Sequence, residues 1–407
     1  MYRGDLRLSP DVIVIGAGAV GASAGRHLAQ RAVRVAVLEK EAGPAEHQSG
    51  RNSGVIHAGY NLPPGGLKAK YCVEGSRALR EFCRQRGIPV VQGGILVVAK
   101  TDAERATLAE LRCRARANGV QAGLVSEREI REIEPHARGI EGLHAPEGAS
   151  FDSRRYVEVL LDEARSAGAS VHFGVRARRI VESPAGGHLV RVDTSEGDWT
   201  AAVVLNCAGL HADSLAGPLA SDVRIIPFRG YYAELRPART ELVRSHVYAA
   251  PDLTFPFLGV HLSRRTDGRV IVGPGAMLAF GREAYRLEHV QPADLLHTLT
   301  WPGFYRMIAR RRVRALVRKE VLKSLFLSRI WREARLLIPE LERRDLMRSY
   351  AGNRAQLVSR TGELVDDIVL RESERTVHVL NAVSPGLTCS LPFGAYLAQL
   401  CIQKSRL

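Results

Sequence analysis

Asp11–Lys40 reads DVIVIGAGAVGASAGRHLAQRAVRVAVLEK, and the order of its parts decides the fold. A short apolar strand, DVIVI, runs into GAGAVG, then a helical stretch, then a second strand, VRVAVLEK. Gly16 permits a tight turn, Gly18 lets a pyrophosphate approach the backbone, and Gly21 allows helix and strand to pack closely. The N-terminus of the helix then faces an anion. Glu39 lies 18 positions beyond Gly21, close to the spacing of about 20 expected for a carboxylate that accepts ribose hydroxyls. Its charge would repel a 2′-phosphate, so FAD or NAD is favoured over NADP. A bare G-x-G-x-x-G is a weak signal; the strand before it, the helix after it and the acid at this distance make it specific.

Working outward, the chain of 407 residues is long enough for two large units and a sizeable core. With 45% hydrophobic and 25% charged residues it has the composition of a globular enzyme. The six cysteines are scattered and form no C-x-x-C pair, so neither a zinc site nor a disulfide framework is expected. The first residues, MYRGDLRLSP, lack the apolar core of a signal peptide. The expectation is a cytoplasmic protein without a metal.

Formal charge is +15, with one dense basic run at 306–337. Apolar residues recur there at helical spacing among Arg and Lys, which reads as basic amphipathic helices packed on a neighbouring unit. Peripheral contact with an anionic membrane surface, on its inner face, is the alternative. No zinc finger or aromatic platform accompanies the charge, so nucleic acid is not an expected partner.

Helices are predicted at 67–87, 102–118, 127–134 and 151–169, the last begun by Asp152 or Ser153, and 292–341 reads as largely helical. Strands are predicted within 89–99, through VHFGV, HLVRVDT and AAVVLNCAG, and in pieces between 223 and 274. The expected fold is α/β (α+β), a Rossmann-like dinucleotide-binding domain with an inserted antiparallel-sheet substrate domain. The cofactor domain is assigned to 1–88, 150–220 and 346–407, and the substrate domain to 89–149 and 221–345.

A second stretch, SGRNSGVIHAGY at 49–60, is short of long aliphatic side chains yet holds Arg51, Asn52, His57, Tyr60 and three glycines. Such a backbone can approach an anionic ligand and present N–H donors to it. Together with PPGGLKAKYCVEG, FRGYY at 228–232, FPFLGVHLSRRTDGRVIVGPGAMLAFGREAY at 255–285, AGNRAQ and ELVDD within 351–367, and HVLNAVSP at 378–385, it resembles the L-2-hydroxyglutarate oxidase/dehydrogenase family of FAD-dependent oxidoreductases, within the D-amino-acid oxidase superfamily. The blocks cover most of the chain.

The resemblance implies FAD, held by Gly16, Gly18, Gly21, Glu39, Lys40, Arg51, Asn52, Ser53 and Gly54, with Ala177 near the adenine and Ala208 and Gly209 at the return to the pyrophosphate or adenosine. Ser384, Gly386, Leu387 and Thr388 would flank the flavin, where the N-terminus of the last helix favours negative charge. Oxidation of a 2-hydroxy acid needs a base for the hydroxyl proton while hydride passes to flavin N5, and cations for the carboxylates. His57 and His261 are the candidate bases. Arg229, Arg264, Arg282 and Arg354 are candidate carboxylate anchors, since a planar fork binds a carboxylate through two bonds, and Tyr60 is a further substrate contact.

GPGAMLAF, GREAY and GLTCSLPFG depart from the family's pattern, and SPGLT is similar to the corresponding loop of glycerol-3-phosphate dehydrogenase-like flavoproteins. Amine, amino-acid or glycerol-3-phosphate oxidation on the same scaffold is therefore the alternative, with a non-catalytic flavin-binding partner as a third reading. Oxygen or a membrane quinone chain is the expected electron acceptor for a small anionic substrate.

Overall fold

A computed structural model describes residues 9–183, 188–253 and 259–405. The FPFL part of the fourth family-like block, 255–258, lies outside the described residues. The opening stretch folds as strand Val12–Ile15, helix Ala19–Ala29 and strand Val35–Leu38. Gly16 has φ +102°, and a Cβ there would sit 2.6 Å from the Cys207 carbonyl oxygen; one on Gly21 would sit 2.0 Å from that of Gly16. Both positions therefore require glycine.

Val12–Ile15 pairs in parallel with Val35–Leu38 on one side and Val203–Asn206 on the other. Ser170–His172 and Thr376–Asn381 extend the sheet in parallel, and Val369–Glu372 closes one edge antiparallel. The central strands are apolar and buried because both faces are covered. The helices Ala19–Ala29, Leu67–Gln85, Ser153–Ser166 and Gly386–Ser405 pack on one face, and the small sheet formed by residues 177–201 packs on the other.

A second, nine-stranded sheet holds the rest of the core. Its backbone is a long antiparallel ladder between Val223–Leu235 and Leu346–Ser359, with Phe228 opposite Arg354. One pairing, His246–Ala249 beside Ile95–Ala99, is parallel, so the sheet is not wholly antiparallel. Leu346–Ser359 was expected in the cofactor domain; the ladder puts it in the second sheet instead, and the chain returns to the first sheet only after it.

Most local expectations hold within two or three residues. The helix predicted at 67–87 ends at Gln85, before Gly87 at φ +62°, and Asp152 caps Ser153–Ser166 by accepting from the Arg154 and Arg155 amides. The run at 292–341 divides into the helices Pro292–Leu299, Pro302–Ala309, Arg311–Leu325 and Leu327–Leu337. Their apolar stripes pack on the second sheet: Phe304 and Met307 join Ile226 and Phe228, while Ile330, Ala334 and Leu337 join Val247 and Leu262.

Candidate active site

The carboxyl ends of the parallel strands converge on one large cavity, of about 1040 Å³. Val12–Ile15 delivers Gly16 and Gly18, Val35–Leu38 delivers Glu39, Val203–Asn206 delivers Ala208 and Gly209, and Thr376–Asn381 leads to Ser384, Gly386, Leu387 and Thr388. This is where open α/β sheets bind ligands, outside the strand ends.

The residues present fit a dinucleotide. Gly18 borders the cavity, and a Cβ on it would meet only the Ser49 hydroxyl, at 3.1 Å, leaving a groove beside the first helix. The Ala19 amide at that helix N-terminus donates to Ser49 Oγ at 2.9 Å. Glu39 is buried at the cavity wall; the Ala17 amide donates to its Oε2 at 2.7 Å and the Glu41 amide to its Oε1 at 3.0 Å. Those two bonds aim the carboxylate, whose remaining lone pairs can accept ribose hydroxyls. Ala177, Arg51 and Ser53 also border the cavity.

Three expected cofactor contacts have a different local role. The amide of Asn52 donates to the Gln48 and Ser49 carbonyls, at 2.9 and 2.6 Å, and its Oδ1 accepts from the Gly54 amide at 2.7 Å. The Asn52 side chain therefore folds the loop rather than reaching for a phosphate. Gly54, at φ +70°, supplies the turn and is not among the described cavity-lining residues. Lys40 borders the cavity, but its ammonium lies 2.6 Å from Glu283 and from His47 Nε2 and also bonds Glu41.

That lysine is the centre of a clasp between the two halves. Glu283 also accepts from His211 Nε2 at 2.8 Å, and Tyr285, two residues on, meets His47 Nδ1 at 2.5 Å and receives the Arg51 guanidinium on its ring at 4.2 Å. Hydrogen bonds from His211 and Lys40 hold the Glu283 carboxyl well below the usual carboxylate range, against the opposing effect of burial. Glu41, His47 and Glu283 lie within 4.8 Å of one another, but the Lys40 ammonium already occupies the middle of the group, bonded to all three. Because Lys40, His47, His211 and Glu283 all line the cavity, Glu283→Gln is expected to release FAD on the order of tenfold faster, as loss of a partly buried charge pair acts on the off-rate. Recovery of FAD fluorescence on dilution measures it; an unchanged rate removes the clasp role.

Strand alternation decides which candidate side chains reach the substrate end. On the long ladder Gly230, Tyr232, Arg354 and Gln356 border the cavity. Arg229, one residue out of phase, points to the other face, where its Nη1 donates to the Ala284 carbonyl at 3.1 Å and to that of Arg286. His261 borders the cavity, and Arg264, on the opposite parity of His261–Arg264, donates to the Thr240 and Val243 carbonyls at 2.9 and 3.0 Å. Arg282 is fixed by two bonds to Asp213, at 2.7 and 3.2 Å, with both side chains almost fully buried. Tyr60 is packed in an apolar cluster with Val55, Val97 and Tyr248. Of the four arginines expected at the substrate, Arg354 is the one among the described lining residues.

Both candidate histidines line the cavity. His261 lies stacked on Tyr248 with ring centroids 4.1 Å apart, and its Nδ1 is 3.1 Å from the Gly259 carbonyl oxygen. That acceptor places the proton on Nδ1, so Nε2 carries the lone pair, and Nε2 is buried with no hydrogen-bond partner among the described residues. Burial pushes the His261 pKa down to about 3 and that of His57 down to about 4, so both are neutral near pH 7. His57 is held through its backbone, whose amide donates to Thr388 Oγ1 at 3.1 Å.

These shifts also bear on stability. His27, His57, His246, His261 and His378 all have pKa values lowered by burial, to about 3 or 4, below the ordinary value of 6.5. The unfolded chain binds their protons first, so their contribution is complete above about pH 6.5 and is lost as pH falls toward about 4. The melting temperature at pH 4.5 is therefore expected to lie on the order of 10 °C below that at pH 7.5, read by near-UV circular dichroism.

Residues 11–400 match the family of FAD dependent oxidoreductases, DAO. The chain belongs to this family. FAD is thus its cofactor. Two relatives are named L-2-hydroxyglutarate dehydrogenase: one from Indibacter alkaliphilus, 36% identical and covering 97% of this chain and 99% of its own, and one from Escherichia coli K12, 37% identical over 95% and 92%. The human mitochondrial protein of that name is 35% identical over 98% and 89%. Among solved structures, L-alpha-glycerophosphate oxidase from Mycoplasma pneumoniae with FAD bound has a TM-score of 0.77 at 22% identity over 98% of this chain and 95% of that one. Glycine oxidase from Geobacillus kaustophilus has a TM-score of 0.72 at 19% identity, over 97% and 95%. At such identities the likeness to these family members is one of fold.

Some cavity-lining residues escaped the sequence reading. Ser49 stands inside the quoted loop, but only the fold brings it to the first helix. Arg310, Arg311 and Arg312 border the cavity, although the basic run was expected to pack on a neighbouring unit with its charges solvated, or to meet a membrane. The parity that separates His261 from Arg264, and Arg229 from its cavity-facing neighbours, was present in the sequence once the strands were assigned.

Proposed function

We propose that the protein oxidises L-2-hydroxyglutarate to the corresponding 2-oxo acid. The observation that carries this reading is end-to-end similarity, at 34 to 37% identity, to relatives of that name from bacteria, nematodes and mammals. The glycerophosphate and glycine oxidases are similar at 22% identity or less, which supports the scaffold and not their substrates. Bound FAD supplies the two-electron acceptor for the hydrogen that leaves the α-carbon.

Arg354 binds a substrate carboxylate inside the cavity and orients the hydroxyl toward His261. Nε2 of His261 accepts the hydroxyl proton, while the Gly259 carbonyl keeps the ring in the tautomer that leaves this lone pair available. Burial makes His261 a weak base in the empty site; the negative charge of the entering substrate raises its affinity for a proton. Substrate binding therefore strengthens the base before the proton is transferred. His57 shapes the same wall and is the second candidate for the proton.

Anaerobic mixing of the yellow holoenzyme with L-2-hydroxyglutarate, its D-enantiomer, glycerol 3-phosphate and glycine tests the substrate. Bleaching by the L-hydroxy acid alone is expected, and bleaching by another member with none by L-2-hydroxyglutarate overturns the assignment.

Electrons then leave the flavin for a second acceptor, for which we favour a membrane quinone over oxygen. Exposed Leu296, Leu299, Tyr305, Phe326 and Leu336 lie among the arginines and lysines of 292–337, a surface suited to an anionic bilayer. No helix among the described residues is long and apolar enough to cross a membrane, so this contact would be peripheral. Co-sedimentation with anionic vesicles at low salt, reversed at high salt, is the expected result; indifference to vesicles of either composition removes it.

A further inference from the structure

The helix Arg311–Leu325 carries a buried acid that substrate binding, as described above, does not use. Glu320 is 5% exposed in a helix otherwise rich in exposed cations. Its Oε1 pairs with Lys323, which also reaches Glu333 at 3.4 Å. Its Oε2 accepts from the Ala276 amide at 2.7 Å, across 44 residues of sequence. A buried carboxylate bonded to a distant backbone amide fixes that backbone in place.

The backbone concerned is the turn Pro274–Gly275–Ala276, which borders the substrate end of the cavity through Pro274. The next carbonyl back, that of Gly275, accepts from Arg354 Nη1 at 3.4 Å. The gap left by the missing Gly275 side chain is also filled by Glu320, since a Cβ there would lie 3.4 Å from its Oε2. Burial lowers the Arg354 pKa, and the nearby Tyr232 and the charge of Glu320 both oppose that effect. Glu320 thus acts on Arg354 in two ways, through the turn and through its field.

We infer that Glu320 is a positioning residue for substrate binding, holding the Gly275–Ala276 turn so that the Arg354 guanidinium presents its fork to the substrate carboxylate. The inference rests on the reading of Arg354 as the carboxylate anchor and goes beyond it by assigning the support. It also gives the basic run a role inside the enzyme: one end of its central helix meets the cavity mouth through Arg311 and Arg312, and its second half braces the anchor.

Steady-state kinetics on FAD-loaded Glu320→Gln, Glu320→Ala, Arg354→Gln and the Glu320→Ala/Arg354→Gln double variant tests it. Glu320→Gln keeps an acceptor for the Ala276 amide while removing the charge, and Glu320→Ala removes both. The KM for L-2-hydroxyglutarate is expected to rise in Glu320→Ala on the order of tenfold, the effect of about one lost charge-assisted hydrogen bond, with kcat and flavin content little changed. Glu320→Gln should show a smaller rise of the same kind, and it decides the matter if Glu320→Ala fails to fold. In the Arg354→Gln background the Glu320 substitution should add nothing.

A raised KM in Arg354→Gln beside an unaltered KM in both Glu320 variants overturns the inference and leaves the anchor standing. Additive effects in the double variant also overturn it, since they place Glu320 on a separate path. An unaltered KM in Arg354→Gln overturns the anchor reading, and the inference with it.

Discussion

His261→Asn lowers kcat by about 10²-fold to 10⁴-fold, the range for loss of a positioned general base. The asparagine amide can still donate to the Gly259 carbonyl, which His261 Nδ1 meets at 3.1 Å, so the loop need not rearrange. What disappears is the buried Nε2 lone pair at the cavity. FAD content should remain at the level of the unmodified protein, because His261 comes from the second sheet and the fingerprint residues from the first. Single-turnover anaerobic reduction isolates the step from acceptor chemistry. An undiminished bleaching rate would transfer the role to His57, for which the matching variant is His57→Asn.

The second large effect is expected at Arg354. Arg354→Gln should lower kcat/KM by about 10²-fold or more, because truncating one partner of a buried, hydrogen-bonded charge pair costs about 2 to 5 kcal/mol. Most of the loss should appear in KM, since a carboxylate away from the reacting carbon is bound similarly in the ground and transition states. Arg354→Lys restores a charge but not the planar fork, so it should recover only part of the affinity. The corresponding changes at Arg229 or Arg264 should act on stability instead, because those guanidinium groups are bonded to backbone carbonyls away from the cavity. A KM for L-2-hydroxyglutarate that ignores the charge at 354 would sink the anchor role.

The two halves of the molecule differ in how far the chain itself announces them. DVIVIGAGAVG and Glu39 were legible because the dinucleotide fingerprint is local: strand, turn, helix and acid follow one another within thirty residues. Gly16 and Gly21 are required by contacts that the turn itself creates with its nearest packing partners. Ser384, Gly386, Leu387 and Thr388, named through the family resemblance, border the same cavity, where a strand followed by a Pro/Gly turn and a helix brings a helix N-terminus to the sheet edge.

The substrate end was less legible because it is assembled from strands far apart in sequence. His261, Tyr232 and Arg354 meet only after the long ladder has set its register, with Phe228 opposite Arg354. A one-residue step along a strand reverses the face a side chain presents, and that step separates Arg229 from the cavity. Arg282 shows the other limit: nothing in GREAY announces that Asp213 will be buried beside it.

By itself the sequence determined the strand, glycine turn, helix and strand unit that ends in Glu39, and the family, because each is carried by contiguous motifs. Only the tertiary structure decided that the His261 Nε2 is buried without a partner among the described residues, which of the four arginines borders the cavity and that Glu320 lies behind it. Those assignments depend on register and on contacts closed across the two sheets, which residue spacing along the chain does not encode.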